Sequence, residues 1–223
     1  MSLPSDAAAK PALTAAALPL VAITCWESLY ERAAVQPGEF VLIHGGAGGT
    51  GHVAVQLAAL RGARVAATVS SPAKARIATD FGAELPINYR EMNFADEALG
   101  WSGGLQVAFD NAGAEVMQST YRAMAPYGRV VTLMGVAEDD AELNAYNLNL
   151  TLHNVMMLTP MWKGLTERLK AQATIVSKAL QLVASGKLKI LLSESFALAD
   201  ADKAHAHLES GKALGKVTLR ING

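Results

Sequence analysis

Cysteine is almost absent from this chain: Cys25 is the only one in 223 residues. No intramolecular disulfide is possible, and a reducing, cytoplasmic setting is the expectation. Concentrated charge is missing as well, since 19 basic and 20 acidic side chains leave a formal net charge of −1 and no run of lysine or arginine occurs. A nucleic-acid surface needs such a run, so that class of partner is excluded and a neutral or small anionic molecule fits better. Long apolar runs are lacking too. Pro19 interrupts the stretch over residues 13–25, short of the roughly 18 residues of a membrane span. Asp6 stands where a leader peptide has basic residues, and no cleavage site precedes Trp26, Glu27, Tyr30 and Glu31. The expectation is a helix over 14–35, packed on the domain, and no membrane partner.

What is present is glycine in one decisive place. The segment FVLIHGGAGGTG, residues 40–51, sets an apolar β-branched run before a glycine-rich turn and a helix. A nucleotide pyrophosphate needs this arrangement: Gly46 for a tight turn, Gly48 for close approach of backbone to phosphate, Gly51 for contact between helix and strand. The helix over 49–61 directs free N–H groups and the positive end of its dipole at the anion, so charge is stabilised there without a lysine. Val53, Leu57 and Leu60 recur at helical spacing, Gly62 stops the helix, and 64–69 reads as a second strand, completing a βαβ unit.

Strands and helices go on alternating. Strands are expected over 40–44, 64–69, 84–88, 106–109, 129–134 and 154–158, and helices over 14–35, 49–61, 73–81, 115–124 and 166–185. The fold class is α/β, a doubly wound parallel sheet (a Rossmann fold), with a C-terminal strand-helix-strand appendage over 189–197, 200–208 and 216–221. Ligands of such sheets bind beyond the carboxyl ends of the strands, which makes the loops after Asp110, Met134 and Leu158 site candidates.

The end of the second strand identifies the nucleotide by what it lacks. NAD sites usually carry an Asp or Glu there to bind the adenosine ribose, and this chain has Thr68-Val69-Ser70-Ser71. A 2′-phosphate meets no repulsion, Ser70 and Ser71 can donate hydrogen bonds, and Lys74 supplies positive charge. NADPH is the expected cofactor. Ser71-Pro72 also fits a cap of the next helix with Lys74 on its solvated face, a role compatible with binding.

Read in order, LPLVAITCWESL, QPGEFVLIHGGAGGTGHVAVQLA, TVSSPAKA, LPINYR, FDNAGAEV, YGRVVTLMGV and GKALGKVTLRI make the chain resemble the medium-chain dehydrogenase/reductase superfamily, most of all its zinc-independent quinone oxidoreductase branch. The turn residues Gly46, Ala47, Gly48, Gly49 and Thr50 are the expected cofactor contacts of the glycine motif. The resemblance implies that Lys74 and Tyr89 hold the 2′-phosphate, that Thr24 lies near the nicotinamide, and that the loops at Asn111 and Gly135 close over the cofactor. Lys216 carries over more weakly as a phosphate contact. Members of the family begin with a GroES-like catalytic domain that this chain lacks, so the resemblance divides it into a cofactor domain, 12–188, and a segment, 189–223, that returns to the missing domain. A fragment is the inference, with a stand-alone protein left open. Members dimerise through the sheet edge near 154–158, which implies a homodimer.

No metal site is expected. The cysteine ligand of zinc-dependent relatives falls on Leu20, leaving Cys25 out of register as a buried thiol. His205 and His207, two apart on a helix, face different ways and read as surface residues. His44 fits either a phosphate contact or packing at the strand end. Asn111-Ala112-Gly113 is like the NAG of short-chain dehydrogenases, but no tyrosine is followed four positions later by lysine. A P-loop would need GK[ST], and Thr50-Gly51-His52 does not supply it. The reaction expected is hydride transfer from NADPH to a quinone or an α,β-unsaturated carbonyl, with the residues that choose the substrate mostly on the absent domain. A non-catalytic NADPH-binding sensor or interaction module is the competing class.

Overall fold

Six parallel strands form the centre of the molecule in the computed structural model, which describes residues 10–135 and 144–221. Asp6 lies outside the described residues. In chain order the elements are α1 (Lys10–Trp26), β1 (Phe40–Ile43), α2 (Gly51–Leu60), β2 (Arg64–Val69), α3 (Pro72–Asp80), β3 (Leu85–Asn88), α4 (Phe94–Ser102), β4 (Leu105–Asp110), α5 (Ala114–Arg122) and β5 (Met124–Thr132). Then follow α6 (Asn144–Asn147), β6 (Thr151–Asn154), α7 (Thr159–Trp162), α8 (Thr166–Ala184), β7 (Leu192–Ala197), α9 (Ala201–Glu209) and β8 (Lys216–Arg220).

The strand order β3-β2-β1-β4-β5-β6 reverses direction between β1 and β4, which opens a crevice at the carboxyl ends of those two strands. β1 is central because it can be buried on both faces. Val41 and Ile43 join the core with α1, α2 and α8, whereas Leu42 joins Ala66, Ile87, Met117 and Tyr121 on the opposite face. Each of these three side chains is fully buried, worth about 1.5–3 kcal/mol apiece.

Three expectations need correction. The first helix is α-helical to Trp26 and then widens into a π-helical stretch, Glu27–Arg32, with Pro19 inside it, so Pro19 does not end the run. The joined helix, Pro11–Arg32, has 22 residues and a mean hydropathy of 1.5, long and apolar enough by length and composition to cross a membrane. Here half of it is buried against the protein's own core, through Leu18, Val21, Ala22, Cys25 and Leu29.

The last sheet strand is Thr151–Asn154, not 154–158. It pairs with β5 from Arg129 to Thr132, and Val155 adds one more bond to the Thr132 carbonyl. Beyond Thr132, β5 offers no further backbone, and Met156 turns into α7 through Pro160. A strand extends only as far as its neighbour.

Helix α4 was not expected, yet it has readable ends: the Asn93 side chain caps the Ala95 and Asp96 amides at 3.0 and 3.4 Å, Asp96 and Glu97 occupy the first turn, and Gly103 closes it at φ 69°. The appendage forms as expected. β7 and β8 pair in parallel with each other, α9 crosses between them, and so the strands left over from the main sheet satisfy one another.

Candidate cofactor site

The glycine turn after β1 is held by its neighbours. Gly45 takes φ +63° and is the residue that makes the tight turn, a role expected of Gly46. Gly46 instead allows close packing, because a β-carbon there would stand 2.6 Å from the Ala67 methyl group on β2. Gly51 is required by contact as well: its β-carbon would overlap the Gly45 carbonyl, so α2 starts at Gly51 rather than at 49 and presses directly on the turn. Among the described residues the amides of Ala47, Gly49 and Thr50 have no protein acceptor, which leaves N–H groups for an anion at the start of α2.

A relay under the turn resolves the two readings of His44. The Gly45 N–H donates to Thr68 Oγ1 at 3.0 Å, and that hydroxyl faces His44 Nδ1 at 3.3 Å. His44 Nε2 meets Thr120 Oγ1 at 2.9 Å, and Thr120 in turn donates to the Val116 carbonyl at 2.9 Å. Both ring nitrogens are engaged, so the imidazole packs the strand end and is not free for phosphate. Burial pushes its pKa down to about 4, against the nearby Asp110 carboxylate, which pulls it up.

Lys74 and Lys216 reach this turn from widely separated parts of the sequence. With Gly48 and Gly49 and with residues of the segment from Leu208 to Val217, they line a cavity of about 310 Å³. Ser71 caps α3 by accepting the Lys74 amide at 3.3 Å, with Pro72 at the first helical position, so its capping role is realised. Lys74 Nζ donates to the Gly211 carbonyl at 2.9 Å. Lys216 comes within 3.8 Å of where a Gly49 side chain would begin, and burial lowers the pKa of its ammonium while Cys25 raises it. Ser70 and the half-exposed Tyr89 lie outside this cavity, with the Tyr89 amide bonded to the Val69 carbonyl at the end of β2.

The loops after β4 and β5 converge on the same crevice. Asp110 is fully buried; one carboxylate oxygen accepts the Ala112 and Gly113 amides at 2.9 and 3.0 Å, and the other accepts the Thr132 hydroxyl at 2.8 Å. The Gly135 carbonyl sits 3.3 Å from that hydroxyl, and the Asn111 amide lies 3.5 Å from where a Gly45 side chain would start. Asn111 therefore lies beside the turn, and Gly135 lies beside the Thr132 hydroxyl at the end of β5. Thr24 is buried, but its hydroxyl donates to the Leu20 carbonyl of its own helix at 2.9 Å.

Sequence reasoning missed Thr68, Asp110 and Thr132 as the groups that hold the loops, and the contribution of 208–215. Asp110 and Thr132 each end a strand and Thr68 stands one residue before the end of β2, the one available signal. The tail carried none, because its approach is a matter of tertiary contact.

The described residues do not fit a zinc ion. Among the described residues no three His, Cys, Asp or Glu side chains come together, and the position expected of a ligand, Leu20, is an exposed leucine. Cys25 is fully buried with Sγ 3.5 Å from the Thr50 carbonyl, and burial drives its thiol well above the ordinary range, away from the thiolate a metal needs. His205 is exposed as expected. His207 is not a plain surface residue: it is partly buried, its ring 6.1 Å from that of Phe196 and Nε2 3.7 Å from Glu194.

Known proteins resemble this chain over nearly its whole length. A family model described as zinc-binding dehydrogenase matches residues 81–219. Quinone oxidoreductase-like protein 2 of Bos taurus is 32% identical over 212 residues, covering 93% of this chain and 60% of that protein. A phenolphthiocerol/phthiocerol polyketide synthase of Mycobacterium tuberculosis is 32% identical over 201 residues, 89% of this chain and 9% of that protein. The solved structure of mycobacterial Rv1454c complexed with NADPH superposes with a TM-score of 0.82 at 27% identity, over 98% of this chain and 66% of the other. The chain thus spans about three fifths of the first of these relatives and under a tenth of the second.

Proposed function

Because this chain belongs to the medium-chain dehydrogenase/reductase superfamily, as a quinone-oxidoreductase-like cofactor-binding domain, we propose that it binds NADPH and serves an oxidoreductase that passes hydride to a quinone or an α,β-unsaturated carbonyl. The observation that carries this reading is the pair of lysines at the glycine turn, Lys74 and Lys216, combined with the lack of any acid in Thr68-Val69-Ser70-Ser71. The unpaired amides of Ala47, Gly49 and Thr50 would receive the pyrophosphate, with Lys216 adding charge. Lys74, aided by Ser70, Ser71 and Tyr89, would hold the 2′-phosphate.

The chemistry that NADPH brings is hydride donation from its nicotinamide. The protein's part is positional: Asp110 and Thr132 fix the loops bearing Asn111 and Gly135, and Thr24 on α1 would lie near the nicotinamide. A quinone or enone acceptor delocalises the charge it gains, so the reading needs no zinc. β6 lies at the sheet edge, and pairing of that edge with a second copy would make a homodimer. The free, buried Cys25 suits a cytoplasmic protein.

Calorimetric titration tests the cofactor. NADPH should bind at least about ten-fold more tightly than NADH, and Lys74→Ala should remove most of that preference, as expected of one charge-assisted bond. Equal affinities in the unaltered protein would overturn the reading. These 223 residues by themselves should oxidise NADPH with a quinone slowly or not at all, and robust steady-state turnover would contradict that expectation.

A further inference from the structure

The segment from Ser210 to Lys216 crosses the mouth of the nucleotide cavity and is fastened at two points of unequal strength. At Gly215 the fastening is rigid. The Gly215 amide donates to the Ala47 carbonyl of the glycine turn at 3.0 Å, Lys216 N donates to the Leu191 carbonyl at 2.7 Å, and a β-carbon on Gly215, at φ +62°, would overlap that Leu191 carbonyl. The base of the appendage is bolted down nearby. Gln56 exchanges two hydrogen bonds with the Lys189 backbone at 2.9 and 2.8 Å, and His52 spans the Gly48 carbonyl and the Leu191 amide at 2.8 and 3.2 Å.

At Gly211 the fastening is light: Lys74 Nζ donates to its carbonyl at 2.9 Å in an exposed position. An ammonium has three donors, so this bond leaves two for another acceptor. The cavity that Lys74 faces is also bounded by Leu208, Gly211, Ala213 and Gly215.

We propose that residues 210–216 form a strap that closes on the 2′-phosphate of the bound nucleotide, with Lys74 bridging the phosphate and the Gly211 carbonyl, so that the tail helps to choose NADPH over NADH. The inference rests on the cofactor reading above. A phosphate on Lys74 holds the ammonium in the cavity, which keeps it within reach of Gly211, and a docked strap does the same for the phosphate. The two events are therefore coupled and must favour each other reciprocally. Discrimination between the nucleotides would then depend on a segment 137 positions away in sequence from Lys74.

Amide hydrogen exchange of the full chain, at saturating NADP+ and separately at saturating NAD+, tests this. NADP+ should slow exchange over 211–214 by about five-fold or more beyond NAD+, and Lys74→Met, which keeps the aliphatic stem, should bring the two nucleotides to the same protection there. Equal protection by both nucleotides in the unaltered protein, with calorimetry showing that NADP+ binds, overturns the strap and leaves the cofactor reading standing. No binding of NADP+ by calorimetry overturns both. An NADP+ excess over 211–214 that survives in Lys74→Met overturns the bridging role of Lys74.

Discussion

Thr68 on β2 holds the Gly45 amide on the turn after β1, at 3.0 Å, so the glycine turn hangs from the neighbouring strand as well as its own. The same hydroxyl faces His44 Nδ1, and both side chains are shielded from water. Thr68→Val keeps the shape and removes the hydroxyl. It should cost about 1–3 kcal/mol of stability in urea denaturation, because the Gly45 N–H loses its partner. Nucleotide affinity should fall with it, and a variant of unchanged stability would refute the relay.

Gly51→Ala should be worse for binding than its size suggests. The added methyl overlaps the Gly45 carbonyl oxygen and meets its carbon at 2.7 Å and the Gly46 α-carbon at 3.1 Å, all of it backbone that cannot rotate away. The turn must shift, costing about 1–3 kcal/mol of stability and most of the nucleotide affinity. Thermal melting and calorimetry would read the two losses, and a variant that binds normally would show that the turn tolerates displacement.

Acid should destabilise the fold through two histidines. Burial lowers the pKa of His44 and of His52 to about 4 from an ordinary 6.5, with the Gly48 hydrogen bond opposing the shift at His52. Below pH 6.5 the unfolded chain takes up protons that the native state refuses, so their contribution is complete above that value and fades as pH falls toward 4. From about pH 7 to about pH 5 each should cost about 2 kcal/mol. Glu27, whose carboxyl burial raises in pKa, acts in the opposite sense. Urea midpoints at the two pH values check the sum, and the drop should shrink in His52→Gln. A drop that does not shrink would exclude His52 as a source.

Sedimentation at high concentration should report a dimer joined through β6, whose Thr151–Asn154 backbone has β5 on one side only. A single-copy mass would exclude pairing at that edge.

Local chemistry was legible where one residue type answers one local demand. The run Val41-Leu42-Ile43, the glycines after it, the Ser71-Pro72 cap and the alternation of strands with helices all announce themselves at short range, and the parallel sheet followed from them. Asn93 and Gly103 mark the ends of α4 just as locally. The end of β6 was different, since it depends on where β5 stops offering partners.

The sequence by itself determined the glycine turn, the missing acid after Val69 and the identity of Lys74 and Lys216, because each is a property of residue type and near neighbours. Only the tertiary structure decided that Gly45 and not Gly46 makes the turn, that His44 is spent on two threonines, and that Gly211 meets Lys74 across 137 positions. Those outcomes depend on which surfaces are pressed together when the sheet closes, and distances across a packed core are not encoded in any one stretch of chain.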